Sequence, residues 1–180
     1  MENRQEIRLC GYGGQGIILA GYIIGQAAAV HEGKNAVFIQ DYGPEARGGA
    51  CKADVVISDE AVLYPYIEAP SILVTMSQEA YEKYFPSKRE DTLVILDQDL
   101  VIPGETGDTR LLAMPARRIA EELGRVQVAN VAMLGFFTAA TDVISVESMR
   151  KSILSSVPKG TEELNMSAFE QGYACAQKGD

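Results

Sequence analysis

The sequence predicts an α/β fold: a single-domain, Rossmann-like three-layer sandwich with a mostly parallel sheet, spanning residues 1–180. Three observations carry that expectation. Short apolar runs alternate with helical stretches along the whole chain, the pattern of a sheet covered by helices. The chain up to Gln40 reads strand, helix, strand, the βαβ unit of a parallel sheet. A glycine-rich turn, Gly11-Tyr12-Gly13-Gly14-Gln15-Gly16, joins the first of those strands to the helix.

The elements follow in order. A strand is expected at about 6–10 and a helix at about 15–31, closed by Gly33 as a C-terminal cap. Ala36-Val37-Phe38-Ile39-Gln40 reads as the second strand. The segment 41–49 is loop-like, because Gly43-Pro44 and Gly48-Gly49 both break regular structure. Residues 50–58 alternate small or apolar with polar side chains and read as a strand. Pro65 and Pro70 bracket a connector, and Ile72-Leu73-Val74-Thr75 forms a further strand. Ser77 caps a helix reaching about Tyr84. Leu93-Val94-Ile95-Leu96-Asp97 is a buried run ending in an acid, and 103–108 is a turn-rich loop. Helices are expected from Pro115 to about Leu123, from 130 to 140, from 146 to 154 and from 161 to 177. The 130–140 helix is apolar on most sides and so belongs in the core.

Composition narrows the function. A net charge of −9 argues against broad nucleic-acid binding, which requires a basic footprint. No apolar run reaches the roughly 18 residues of a membrane span, and residues 1–6 carry no apolar signal region, so a cytoplasmic protein is expected. The three cysteines, Cys10, Cys51 and Cys175, lie far apart and form no CxxC pair. They read as free thiols rather than cluster ligands. The single histidine, His31, falls at the end of the first helix, where its charge favours the helix C-terminus. Asp97 and Asp99 at a strand end read as a solvated turn rather than a metal site. No Ser/His/Asp, Cys/His or metal-ligand constellation is present, so no catalytic residue and no metal site are assigned.

Two segments have the chemistry of binding. In the first, Gly11, Gly13 and Gly16 let the backbone turn tightly and let a ligand approach, while Gly14 and Gln15 complete the turn. The free N–H groups of the helix start point outward at the positive end of the helix dipole, a site for anionic groups. Three readings stay open: a dinucleotide, with Asp41 near the end of the second strand for the ribose hydroxyls; another phosphate-bearing ligand; or a turn that serves only helix-to-sheet packing. The second segment is Asp41-Tyr42-Gly43-Pro44-Glu45-Ala46-Arg47-Gly48-Gly49. It concentrates a phenol, carboxylates and a guanidinium among glycines. Arg47 can clamp a carboxylate or phosphate with two hydrogen bonds, Glu45 can orient it, and Gly48-Gly49 let the backbone pass close to a partner.

Taken together, the motifs are far more specific. GYGGQGIILAG at 11–21 with DYGPEARGG at 41–49 resembles the gamma subunit of the 2-oxoacid:ferredoxin (acceptor) oxidoreductases, most of all that of the 2-oxoglutarate enzyme. Ala53-Asp54-Val55-Val56-Ile57-Ser58, Leu63-Tyr64-Pro65 and Asn130-Val131-Ala132-Met133-Leu134-Gly135 extend the resemblance over residues 5–175. The resemblance implies an enzyme that converts a 2-oxoacid, coenzyme A and an oxidised acceptor to an acyl-CoA, carbon dioxide and reduced acceptor. It implies thiamine diphosphate with Mg between alpha and beta subunits, and iron–sulfur clusters on beta or on a ferredoxin-like delta subunit. The gamma chain holds neither and is inactive alone. On this reading Gly11, Gly13, Gly14, Gln15 and Gly16 help hold coenzyme A. The loop of Asp41, Tyr42, Gly43, Glu45, Arg47, Gly48 and Gly49 meets the thiamine-bearing subunits or the substrate. Ferredoxin or a similar acceptor is an indirect partner, and the isolated chain is expected to self-associate as a homodimer. The contrasting reading is a free-standing dinucleotide-binding protein or redox regulator.

Overall fold

Side chains alternate across β1 (Gln5–Tyr12). Ile7 and Leu9 enter the main core, while Arg8 and Cys10 face the opposite side of the sheet. Every other strand is arranged around that division. The structure is a computed structural model and describes residues 4–42 and 49–178. Its remaining strands are β2 (Asn35–Asp41), β3 (Ala50–Ser58), β4 (Ile72–Thr75), β5 (Leu93–Asp97) and β6 (Leu111–Met114), in the sheet order β2-β3-β1-β4-β5-β6.

β1, β4, β5 and β6 pair in parallel. β3 is antiparallel to both β1 and β2, with Leu9 opposite Ala53 and Phe38 opposite Val55. The expected βαβ unit is therefore split: β2 runs parallel to β1 but lies one strand away, with β3 between them. The physical reason is connection length. Residues 42–49 are all that separate β2 from β3. A parallel neighbour requires a crossover of about a dozen residues or more, so the chain can only return antiparallel.

One face of the sheet is thickly covered. α1 (Ile17–Gln26), α3 (Ala116–Glu122), α4 (Ala129–Ala140), α5 (Val146–Ser156) and α6 (Glu162–Gln177) share one core with Ile7, Leu9, Ala53, Val55, Val74 and Ile95. Ile17, Ile23 and Ile24 of α1 are essentially buried, each stabilising the fold by about 1.5–3 kcal/mol relative to exposure. The other face carries α2 (Gln78–Tyr84), whose Ala80 and Tyr84 cover Cys10, Leu73 and Val94. The sandwich thus has its three layers, with one helical layer much thinner than the other.

On the thin side, Arg8 and Asp54 form a buried two-bond ion pair, Nε to Oδ1 at 2.7 Å and Nη2 to Oδ2 at 2.9 Å. Lys52 joins Asp54 at 2.9 Å, and Arg8 also donates to the Ile67 carbonyl at 2.7 Å, so neither charge is buried unpaired. Burial tends to lower the Arg8 pKa, but the bonds to Asp54 outweigh it and hold the guanidinium charged.

Some expected boundaries shift. α1 begins at Ile17 and passes at Ala27 into a π-helical turn, Ala27–His31, before Gly33 (φ 67°) ends the element as expected. His31 lies in that last turn and its Nε2 is buried without a hydrogen-bond partner. β6 has no counterpart in the sequence reading. Its four residues follow a turn-rich loop and run directly into α3, so the run looks like a helix lead-in. No described helix is long and apolar enough to cross a membrane.

Candidate functional site

β1 and β4 are parallel neighbours whose following helices go to opposite faces: α1 to the thick side, α2 to the thin side. Their carboxyl ends therefore part, and a crevice opens where ligands bind in open α/β sheets. It has a volume of about 440 Å³. The glycine turn supplies Gly14 and Gln15, the β4 loop supplies Met76, Ser77 and Gln78, and Arg117 at the start of α3 supplies a cation.

The turn is held by three side-chain contacts. Gln15 Oε1 accepts the Tyr12 N–H at 2.6 Å, and its Nε2 donates to the Met76 carbonyl at 2.7 Å, tying the two loops across the crevice. Asn130 Nδ2, from the first turn of α4, donates to the Gly16 carbonyl at 3.1 Å. Gly16 sits at φ 74°, and a Cβ there would lie 2.3 Å from Asn130 Nδ2, so neither the backbone nor the space accepts another residue. Gly14 has φ 103° and open space in front of it. The N–H groups of Gly14, Gly16, Ile17 and Ile18 have no acceptor among the described residues. They form a row of donors at the head of a ten-residue helix, where the helix dipole is positive.

Gly11 plays a different part. It is buried within β1, and a Cβ there would meet Gln15 Oε1 at 2.6 Å and the Ile17 side chain at 2.7 Å. Its role in the fold is close packing beneath the turn. Gly13 donates its N–H to the Gly49 carbonyl at 3.4 Å, which brings the second predicted segment against the first. Tyr42 lies in an apolar groove with Gly13, Gly14 and Gly16, so it too reaches the turn. Asp41 ends β2 opposite Lys52. Gly43, Glu45, Arg47 and Gly48 lie outside the described residues.

The position of Asp41 counts against the dinucleotide reading. That chemistry places its ribose-binding acid at the carboxyl end of the parallel strand beside β1. Here β3 occupies that place, runs the other way and carries no acid at that end.

Behind the crevice, Asp97 at the end of β5 is fully buried and accepts the N–H of Asp99 at 3.0 Å and of Arg117 at 2.9 Å. Burial raises its pKa, and the two N–H donors oppose the rise. Asp97 thus organises the β5 loop and the start of α3, which aims Arg117 at the crevice. Arg117 Nε bonds Glu121 at 2.7 Å, leaving its outer nitrogens for a ligand. Among the described residues no group of three or more His, Cys, Asp or Glu side chains could hold a metal ion. Burial raises the pKa of both Cys10 and Cys51, so both stay as thiols.

Sequence reading missed Arg117, Ser77, Gln78 and the anchoring role of Asn130. The first lies beyond the unrecognised β6. Ser77 and Gln78 had a usable signal, since residues just after a parallel strand face the ligand pole and both lie within three residues of the end of β4; Asn130, in the first turn of α4, had none.

Comparison with known proteins places this architecture. Residues 6–175 match the family described as Pyruvate ferredoxin/flavodoxin oxidoreductase. The 2-oxoglutarate synthase subunit KorC of Methanocaldococcus jannaschii is 52% identical over 178 residues, covering 97% of this chain and 95% of that one. A crystal structure of a keto/oxoacid ferredoxin oxidoreductase gamma subunit from Geobacter sulfurreducens superposes with a TM-score of 0.89 at 40% identity, covering 98% of each chain. The same fold recurs at 22% identity (TM-score 0.86) in a 2-oxoglutarate:ferredoxin oxidoreductase from Magnetococcus marinus, solved with 2-oxoglutarate, coenzyme A and succinyl-CoA; the match covers 97% of this chain and 31% of that one. The chain therefore belongs to the pyruvate ferredoxin/flavodoxin oxidoreductase family, as a gamma-type subunit of a 2-oxoacid:ferredoxin oxidoreductase.

Proposed function

We propose that this subunit serves a 2-oxoglutarate:ferredoxin oxidoreductase and that its glycine turn holds the phosphate-bearing part of coenzyme A. The observation that carries this reading is the row of unpaired N–H groups at Gly14, Gly16, Ile17 and Ile18, which opens beside a crevice containing Arg117. In a chain of net charge −9 the overall field repels an anion, so local donors must supply the attraction. Backbone N–H groups and a guanidinium are the donors suited to phosphate. Coenzyme A, when bound, supplies the thiol that takes up the acyl group. The residues of this chain bind and orient it and perform no covalent step.

On the same reading thiamine diphosphate, Mg and the iron–sulfur clusters belong to alpha, beta and ferredoxin-like delta partners. The loop containing Glu45 and Arg47 meets the thiamine-bearing subunits. Replacing Arg47 with Ala would then weaken assembly or coenzyme A use.

The test is kinetic and uses the assembled enzyme. Gly14→Ala adds a methyl group to the open side of the turn and strains its positive φ. The expected result is a KM for coenzyme A raised about tenfold, the scale of one lost hydrogen bond to a charged group. The KM for 2-oxoglutarate stays as it was. An unchanged KM for coenzyme A in a correctly assembled variant would overturn the reading. Turnover of pyruvate in preference to 2-oxoglutarate would reassign the oxoacid.

A further inference from the structure

The loop between β3 and β4, residues 59–71, stands at the pole of the sheet away from the glycine turn. β3 runs antiparallel to β1, so Ile57 near its end lies opposite Gln5 at the start of β1, while the glycine turn follows the other end. Along this loop Leu63 is 93% exposed, Tyr64 56% and Tyr66 61%. Single apolar side chains on a surface are ordinary, but these follow one another in the chain and form a patch. The two rings meet edge to face with 5.6 Å between centroids, so each limits the freedom of the other.

The loop is fixed from beneath. Arg4 Nη2 donates to the Tyr64 carbonyl at 2.8 Å, and Arg8, locked in its buried pair with Asp54, donates to the Ile67 carbonyl at 2.7 Å. The Glu60 N–H donates to Ser58 Oγ at 3.1 Å, Asn35 Nδ2 donates to the Asp59 carbonyl at 3.3 Å, and the Ile67 side chain is buried. Tyrosines carried on a backbone held in this way lose little freedom on docking, which is the make-up of an interface anchor. The patch also has an acidic rim. Asp59, Glu60 and Glu68 are exposed and make no ion pair among the described residues. Arg4, the exposed-side cation that touches the loop, is already paired with Glu6 at 2.9 Å, so the rim stays negative.

We propose that this patch docks another subunit of the same enzyme, through an apolar socket on that subunit rimmed by lysine or arginine. Leu63, Tyr64 and Tyr66 fill the socket, and Asp59, Glu60 and Glu68 meet its basic rim. Charge decides the occupant. A second copy of this chain, packed face to face on the same patch, would set the three acids against their own copies, and like charges opposed across an interface cost several kcal/mol. The inference rests on the assignment of this chain as a subunit of a larger enzyme. It adds a docking surface at the pole opposite the coenzyme A crevice, apart from the loop of Glu45 and Arg47.

The test follows the assembled enzyme through a dilution series and reads the concentration at which half of this chain has left the other subunits. Leu63→Ala and Tyr66→Ala are each expected to raise that concentration tenfold or more, as for an anchor residue. Replacing the rim together (Asp59→Asn, Glu60→Gln, Glu68→Gln) should raise it roughly tenfold at low ionic strength, the scale of three exposed ion pairs. In about 1 M salt, where charges are screened within about 3 Å, the rim variant should match wild type. The KM for coenzyme A in the enzyme that stays assembled should not move in any variant, because the patch lies at the far pole. Leu63, Tyr66 and the three acids are exposed, so the variants should melt with wild type. Unchanged dissociation in Leu63→Ala and Tyr66→Ala would overturn the inference. A rim variant equal to wild type at low salt would overturn it as well, since the partner would then lack the basic rim. So would variants that leave the other subunits bound and change only the number of copies of this chain, which would make a second copy the occupant. In each of these cases wild type still travels with the other subunits and the subunit assignment stands. Wild type that elutes apart from them at every concentration would remove both.

Discussion

Gln15 and Asn130 hold the glycine turn in shape by using their amides on the backbone. Gln15 links the β1 and β4 loops, and Asn130 ties the Gly16 carbonyl to α4. A turn left floppy would lose ordering entropy on binding, so such fixed donors raise affinity through preorganisation. The same economy operates at the far end of α1. Glu32 accepts the Ser145 N–H at 2.7 Å and pairs with Lys34 at 2.9 Å, joining the end of α1 to the N-terminal cap of α5. Burial alone would raise the Glu32 pKa, but the bonds from Ser145 and Lys34 outweigh it and the net shift is downward. A lowered carboxylate pKa stabilises the fold above the unfolded value near 4.5, and the contribution disappears as pH falls through the folded value. Glu32→Gln should therefore lower stability at pH 7 by about 1.5 kcal/mol, the low end for a hydrogen bond to a charged group. Urea unfolding at several pH values checks this. The gap from wild type should close in acid, and a gap constant down to pH 3 would contradict the assignment.

At the scale of elements, the α4–α6 crossing is the tightest contact in the thick layer. A Cβ on Gly135 would lie 2.0 Å from the Phe169 carbonyl oxygen, and one on Gly172 would lie 1.9 Å from that of Ala132. The atoms opposed are backbone, which cannot rotate aside, so the helices would have to separate. Gly172→Ala should cost about 3 kcal/mol, the upper part of the usual overpacking range, despite its better helix propensity. Gly135→Ala acts at the same crossing, so the double variant should lose less than the sum of the two. Denaturant midpoints measure both; a neutral Gly172→Ala would mean that the helices sit further apart than described. This crossing also bears on the candidate site, because α4 carries Asn130 to the glycine turn. Sequence patterning made α4 legible as a buried helix, since its apolar side chains run all round. It gave no warning that Gly135 and Gly172 each abut the backbone of the other helix, because partners in a helix crossing are set by packing across the core and leave no local periodicity.

For the whole molecule, charge and layering set the behaviour. A net charge of −9 disfavours the compact state through self-repulsion. Moving from about 10 mM to 150 mM salt shortens the screening length from roughly 30 Å to about 8 Å. The melting temperature of the chain should rise across that range; a fall would mean that surface ion pairs such as Arg150–Glu170 outweigh the repulsion. The sequence alone determined the α/β class, five of the six described strands, the six described helices and the glycine turn, because each rests on local periodicity, turn residues and helix starts. It also put the starts of both candidate segments at one pole, which follows from their lying after strands that run the same way. Only the tertiary structure decided that β3 slips between β1 and β2, that Gln15 and Gly11 serve the turn from within the fold, and that Arg117 and Asn130 come to it from α3 and α4. Strand order and cross-chain contacts depend on which distant surfaces bury one another, and that free energy belongs to the folded whole rather than to any stretch of the chain.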